Sequence, residues 1–260
     1  MRLKDKVAVV TGSARNIGKA CLMALSREGA KVVVNARSRD KVDEVVREIR
    51  SSGREAVPNY DSVGTKEGVE GLIKTAVDSF GKIDILVNNA GIITWNWIHE
   101  MPDEDWEAVI TTNLTAVFRC TKLALPSMMA QQWGRIINIT AHAGLEGSVM
   151  RAHYAAAKGG IIALTKSIAK EYGKYNITAN AIAPFAKTWK DEGETVAQAQ
   201  DRAIYAQEVP KEVVGPAMNK LVVPKIGGPE DIAPAVVFFA SEDAWYITGQ
   251  VISVGGGMWM

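Results

Sequence analysis

Val7-Ala-Val-Val10, followed at once by Thr11-Gly12-Ser13-Ala14-Arg15-Asn16-Ile17-Gly18, is the stretch on which the fold turns. A short apolar run without alternation predicts a buried strand, and the helical pattern behind it, ending near Gly29, predicts strand, tight turn and helix. At such a junction the helix N-terminus offers unpaired backbone N–H groups and the positive end of its dipole, which suits a pyrophosphate. Gly12 permits the turn, and Gly18 lets backbone and helix pack closely. Alone, the motif is equally compatible with a plain turn; its place after the first strand gives it weight.

Outward from it, strand and helix patterns alternate. Lys31-Val-Val-Val-Asn35 predicts a second strand, followed by an amphipathic helix over 40–51, a third strand over 56–59, a helix over 65–80 and a fourth strand over 83–87. An interrupted helical region over 102–131 leads to a fifth strand at 135–140 and a loop over 141–152. A helix to about 172, a sixth strand at 177–183, a final helix at 229–240 and a closing strand at 250–254 complete the pattern. Such alternation predicts an α/β fold, a doubly wound parallel sheet of the Rossmann type with about seven strands. No linker, charge block or repeat divides the chain, so 1–260 is read as a single domain. The irregular stretch at about 185–226 is read as a substrate lid, because long loops inside compact domains are usually functional.

The balance of 30 Lys and Arg against 29 Asp and Glu leaves no basic field to hold nucleic acid or an anionic membrane. Met1-Arg2-Leu3-Lys4 leads almost directly into a strand, and no apolar run is long enough to span a bilayer, so a cytoplasmic protein is expected. Cys21 and Cys120 are too few and too isolated for a disulfide framework or a zinc site and are expected in the core. His99, His142 and His153 do not form a metal set by spacing; no metal is expected, and surface positions are favoured for them.

Ala36-Arg37-Ser38-Arg39 follows the second strand, where an adenosine ribose would lie. An acidic residue there holds the ribose 2′-hydroxyl, whereas arginine accommodates a 2′-phosphate. No Asp or Glu occurs between Lys31 and Arg39, and with Arg15 in the turn NADP(H) is favoured over NAD(H). Plain surface charge is the alternative. Asn88-Asn89-Ala90-Gly91, behind the fourth strand, has small residues that permit close approach of a ligand and amides that can brace backbone. Asn113 sits among apolar neighbours and needs partners, either as a structural hydrogen-bonder or in a proton relay. Tyr154-Ala-Ala-Ala-Lys158 sets a phenol and an ammonium one helical turn apart on one face, where the amine can favour phenolate.

Thr11-Gly12 through Gly18, Asn88 to Gly91, Asn113 and Tyr154 with Lys158, in that order, resemble the short-chain dehydrogenase/reductase family over essentially the full length. Within it, Ser241-Glu-Asp-Ala-Trp-Tyr-Ile-Thr-Gly249 and the Gly-Gly-Met-Trp-Met ending are most similar to 3-oxoacyl-acyl-carrier-protein reductases. The resemblance implies hydride transfer between a nicotinamide and a carbonyl or alcohol carbon. Tyr154 would exchange the proton, Lys158 would lower its pKa and hold the nicotinamide ribose, and Asn113 would position a water reaching Lys158. Gly12, Ser13, Arg15, Asn16, Ile17, Gly18, Arg37, Asn89, Ala90, Gly91 and Pro184 would bind cofactor, with Asp61 and Ser62 at the adenine. A homotetramer is implied as well, and the small surface of Ala155 to Gly160 is compatible with close packing.

Three positions depart from the family pattern. The usual serine thirteen residues before the tyrosine is Ala141. Losing one donor to a reacting oxygen typically costs ~10² to 10³ in rate, so a weakened site, a relocated donor or an engineered replacement all fit. Thr140 and His142 would project to the opposite face if the strand persisted. The middle glycine of the phosphate turn is Asn16, a residue that tolerates left-handed angles. Phe185 follows Pro184 where glycine is usual; with one residue deleted, Thr188 aligns with the threonine that contacts the nicotinamide amide, and otherwise Trp189 falls there.

Trp95, Trp97, Met150, Phe185 and Trp189, with His142, fall on segments that surround the substrate space in the family. Apolar walls suit a hydrophobic or aromatic ketone, or its secondary alcohol. A non-catalytic or regulatory member that keeps fold and cofactor, with Ala141 as its sign, is the alternative, and a ligand-binding module without hydride transfer is a third.

Overall fold

The computed structural model describes residues 1–186, 222–223, 225 and 227–257. The expected alternation is present: β1 (Val7–Val10), α1 (Asn16–Arg27), β2 (Lys31–Asn35), α2 (Arg39–Ser51), β3 (Ala56–Asn59), α3 (Lys66–Phe80) and β4 (Ile85–Asn88). Then come α4 (Asp103–Ile110), a π-helical turn (Thr111–Thr115), α5 (Ala116–Gln131), β5 (Gly134–Ile139), α6 (Ala143–Glu146), α7 (Ala152–Tyr172), β6 (Ile177–Pro184), α8 (Pro229–Ala240) and β7 (Val251–Val254). The strands form one seven-stranded sheet in the order β3-β2-β1-β4-β5-β6-β7. Every pairing is parallel.

Pleating divides the apolar runs between two layers. Ala8, Val10, Val32, Val34, Ile85 and Val87 pack against α1, α2 and α8, whereas Val9, Val33 and Leu86 pack against α3, α5 and α7. Cys21 and Cys120 fall in opposite layers, and burial pushes both thiols up to about 12. The parallel arrangement brings the segments after β1, β4, β5 and β6 to one edge, and the strand order reverses between β1 and β4, the usual place for a nucleotide in such sheets.

Two local expectations are corrected. β4 begins at Ile85: the backbone N–H of Ile83 donates to Ser127 Oγ instead of a neighbouring strand, while Asp84 keeps backbone bonds to Val7 and Arg135 and its buried carboxylate accepts the Val7 N–H. The segment 141–152 contains α6, and the interruption in the helical region is the π-helical turn at Asn113. Most of the expected lid, together with Thr188, Trp189 and the terminal Met-Trp-Met, lies outside the described residues. Among those described, no helix is long and apolar enough to cross a membrane.

Gly18 is where the first turn is tightest. A Cβ there would lie 2.3 Å from the Gly12 carbonyl oxygen and 2.5 Å from Asn89 Nδ2. Gly18→Ala is therefore expected to lower stability by about 1–3 kcal/mol, read as a reduced urea midpoint at unchanged slope. A midpoint equal to the parent's would show that the turn has room to spare.

Candidate functional site

The end of β1 is tied to the end of β4 through Thr11. Its N–H donates to Val87 O at 3.0 Å, and its hydroxyl accepts from the N–H groups of Asn89 and Ala90, both at 2.9 Å. Asn89 Nδ2 returns bonds to the carbonyls of Thr11 and Gly12 at 2.9 and 3.1 Å. Gly12 takes φ +64° and Asn16 φ +49°, the left-handed turn expected for both. Ser13 is fully buried and joined to Asn35 through its N–H and hydroxyl.

α1 then begins without a side-chain cap and without an acidic residue in its first turn, while Arg15 and Asn16 are exposed beside it and Ile17 is half-buried. Uncapped amides in a first turn that carries no carboxylate of its own fit a pyrophosphate. Arg37 is exposed behind β2, and neither it nor Arg15 forms an ion pair among the described residues. Arg39, by contrast, lies over the Tyr60 ring at 4.3 Å. Asn35 Nδ2 donates to Asn59 Oδ1 at 2.8 Å and to the Asp61 carbonyl at 2.9 Å, holding Asp61 and Ser62 at the same edge. Exposed cations after β2 and no acid among 36–39 fit a 2′-phosphate.

At the far side of the edge, α7 carries Tyr154 and Lys158. Ala155 to Ala157 favour the helix, and Gly159 and Gly160 lie half-buried beneath its neighbours. A Cβ at Gly160 would meet Leu114 of the π-helical turn at 2.7 Å, so part of the small surface expected to serve subunit packing is filled within the chain. Lys158 is 4 % exposed, and its ammonium donates to the Ile139 carbonyl at 2.8 Å, while Thr140 Oγ1 donates to the Lys158 carbonyl at 2.8 Å. Burial pushes the Lys158 amine down from 10.5 to about 8.

The electrostatics of Tyr154 differ from the expectation. Its phenol is pushed above the ordinary value by burial, and the charge that opposes this is Arg151 rather than Lys158. The Lys158 ammonium lies 5.5 Å from the Tyr154 ring centroid, and the Arg151 guanidinium 5.9 Å. Asn113 is a structural clamp: Oδ1 accepts from Ile92 N–H at 2.8 Å and Nδ2 donates to Ile92 O at 2.9 Å. Gly91 packs beside it, with a Cβ position 3.2 Å from Asn113 Oδ1.

His142 and His153, expected at the surface, are buried, and loss of solvent pushes both imidazoles below their ordinary range. His142 Nε2 meets Ser253 Oγ at 2.8 Å. The chain turns helical at His142, so the strand geometry that would aim its side chain away no longer applies. His153 Nδ1 accepts the Tyr154 N–H at 2.9 Å, which leaves Nε2 to carry the proton toward Thr94 Oγ1 at 2.7 Å. Ala141 is half-buried between these groups and offers no hydroxyl. Met150 is buried at φ +58°, Trp95 and Phe185 are half-buried, and Trp97 is exposed. Pro184 ends β6 at the same edge.

Sequence reasoning missed Thr94, Arg151 and His153, and did not foresee that His142 would be buried. The proximity of His153 and Arg151 to Tyr154 in the chain was the available signal. A separate groove of about 830 Å³ runs between α1 and α8, past Arg2, Lys19 and Met23, and includes none of Tyr154, Lys158 or Asn113. Among the described residues, no three His, Cys, Asp or Glu side chains could hold a metal ion.

A family model described as short chain dehydrogenase matches residues 6–189. A 3-oxoacyl-[acyl-carrier-protein] reductase of Synechocystis sp. is 43 % identical over 99 % of this chain and 98 % of that protein. Those of Vibrio cholerae and Thermotoga maritima are 40 % and 35 % identical, covering 100 % and 99 % of both partners respectively. A crystal structure provisionally described as a gluconate dehydrogenase of Agrobacterium tumefaciens superposes with a TM-score of 0.87 at 31 % identity, over 98 % of this chain and 96 % of that one.

The buried amine generates a pH signature. From about pH 8 to 10.5 the folded chain has released the Lys158 proton while the unfolded chain still holds it, so stability rises with pH across that window. Relative to Lys158→Met, the parent is expected to gain at most about 3 kcal/mol between those limits in urea unfolding. Parallel pH profiles for the two proteins would contradict the burial of the amine.

Proposed function

The chain belongs to the short-chain dehydrogenase family and is an oxidoreductase of the CH–OH/C=O pair; we propose that it uses NADP(H) to interconvert a hydrophobic ketone, 3-oxoacyl thioesters included, and its secondary alcohol. The observation that carries this reading is the position of Tyr154, with two cations within 6 Å of its ring, at the sheet edge where the uncapped N-terminus of α1 also opens. When bound, the cofactor supplies or accepts the hydride at the substrate carbon. In the reductive direction the carbonyl π pair moves onto oxygen, which takes the phenolic proton of Tyr154. The Arg151 guanidinium stabilises the phenolate that remains.

Arg15 and Arg37 are assigned to the 2′-phosphate, and the α1 amides to the pyrophosphate. Asp61 and Ser62 are assigned to the adenine side, with Asn89, Ala90, Gly91 and Pro184 lining the remainder of the cleft. The NADP(H) assignment rests on the two exposed arginines and the absence of an acid at 36–39. The relatives named as 3-oxoacyl-[acyl-carrier-protein] reductases support the thioester among candidate substrates. A homotetramer belongs to the same proposal; the exposed Trp106, Phe118, Trp245 and Tyr246 supply apolar area for subunits to cover. Ala141 favours a second reading, a member that keeps the fold and cofactor without turnover.

NADPH oxidation with a panel of hydrophobic ketones and 3-oxoacyl thioesters separates the two. Tyr154→Phe is expected to lose about 10²–10⁴ in kcat while still binding NADPH. Ala141→Ser is expected to gain up to about 10²–10³, as a donor to the reacting oxygen is restored. Equal turnover by Tyr154→Phe and parent would remove the tyrosine from the chemistry. Absence of turnover in both parent and Ala141→Ser would favour the second reading.

A further inference from the structure

Among the described residues, Arg151 is a cation without a carboxylate partner. It is half-buried, its guanidinium lies over the Trp95 ring at 4.3 Å, and its Nε donates to Ser148 Oγ at 2.9 Å. Its two terminal nitrogens donate no hydrogen bond among the described residues, and they are not sealed from solvent. No carboxylate pairs with it there, and the one charge that acts to hold it protonated is the Tyr154 phenolate, against desolvation that pulls the guanidinium below its ordinary value.

Arg135 shows how this chain treats a structural arginine. It is fully buried, and its terminal nitrogens bond the Gly134 and Asn176 carbonyls and the Glu242 carboxylate. Its guanidinium stacks on Trp133 at 4.3 Å, the same distance at which Arg151 stacks on Trp95. Stacking thus accounts for one face of each, but only in Arg135 are the terminal nitrogens occupied. A guanidinium left with its fork free and half out of water is suited to a planar, bidentate anion from outside the chain.

We infer that the substrate is a carboxylate-bearing ketone and its hydroxy acid, with Arg151 as the group that binds the carboxylate. This rests on the proposed reductase reading. The guanidinium stands 5.9 Å from the Tyr154 ring, so the carboxylate and the reacting carbon belong to one small molecule and lie a few bonds apart. That spacing selects a short oxo acid over an anion at the far end of a long carrier arm. Trp95 stacks beneath the guanidinium and fixes its plane, and Met150, adjacent in sequence, supplies apolar surface for the rest of the substrate. Arg151 is thereby a specificity-determining residue that acts on charge.

The test uses the full chain loaded with NADPH, which forms dead-end complexes with alcohols and permits binding to be read without turnover. A panel of 2-, 3- and 4-hydroxy acids bearing alkyl or phenyl groups, each paired with its neutral primary amide, is titrated calorimetrically. At least one acid is expected to bind tenfold or more tightly than its amide. Arg151→Met should abolish that preference and Arg151→Lys should retain part of it, both with parental circular dichroism and NADPH affinity. If every amide binds as well as its acid, if nothing in the panel binds, or if Arg151→Met keeps the preference, the inference is overturned.

NADP⁺ reduction by the same compounds reports separately on the catalytic reading. Acid preference without turnover sustains Arg151 and sinks the reductase. Turnover of neutral alcohols with equal acid and amide affinity sustains the reductase and sinks the role of Arg151.

Discussion

The closure of the β1 turn on the end of β4 is the contact on which the remaining structure depends. Four side chain–backbone hydrogen bonds cross this junction: two join Thr11 and Asn89, the Asn89 amide also donates to the Gly12 carbonyl, and the Thr11 hydroxyl also accepts the Ala90 N–H. Gly18 packs into the same point with no space for a methyl group. Because β1 and β4 are neighbours at the reversal of strand order, the junction fixes the first turn of α1 over the centre of the sheet edge. Once it is fixed there, its unpaired amides, the cations after β2 and the segments after β4 and β5 lie along one edge of the sheet.

The chemistry assigned to that cleft follows from what the protein removes from water. Lys158 is buried with a backbone carbonyl as its partner, and Arg151 is half-buried with its fork unpaired among the described residues. Desolvation lowers both groups and raises Tyr154, so the isolated chain holds these charges at a cost. A bound anion or a developing alkoxide would relieve that cost. His153 contributes indirectly: its imidazole, lodged against Thr94, accepts the Tyr154 N–H and fixes the start of α7.

The strand–turn–helix opening was legible because its signals are local: an apolar run, then glycine and asparagine at positive φ. The seven parallel strands followed from alternation, and Tyr154 with Lys158 followed from helical spacing. What the chain alone did not disclose depends on contacts distant in sequence. Asn113 read equally as clamp or relay until Ile92 was found against it. Thr11 gave no hint that the N–H groups of Asn89 and Ala90 would lie upon its hydroxyl, and the direction of Arg151 depends on Trp95, far earlier in the chain. The balance at Tyr154 was misjudged because spacing fixes which residues share a helix face, but burial decides which charge prevails.

A crystal structure of the chain with NADPH tests the central claim most directly. The account predicts the pyrophosphate on the first-turn amides of α1, the 2′-phosphate between Arg15 and Arg37, and the nicotinamide beside Tyr154 and Lys158. NADPH lodged in the groove between α1 and α8, or bound with its nicotinamide remote from Tyr154, would contradict it.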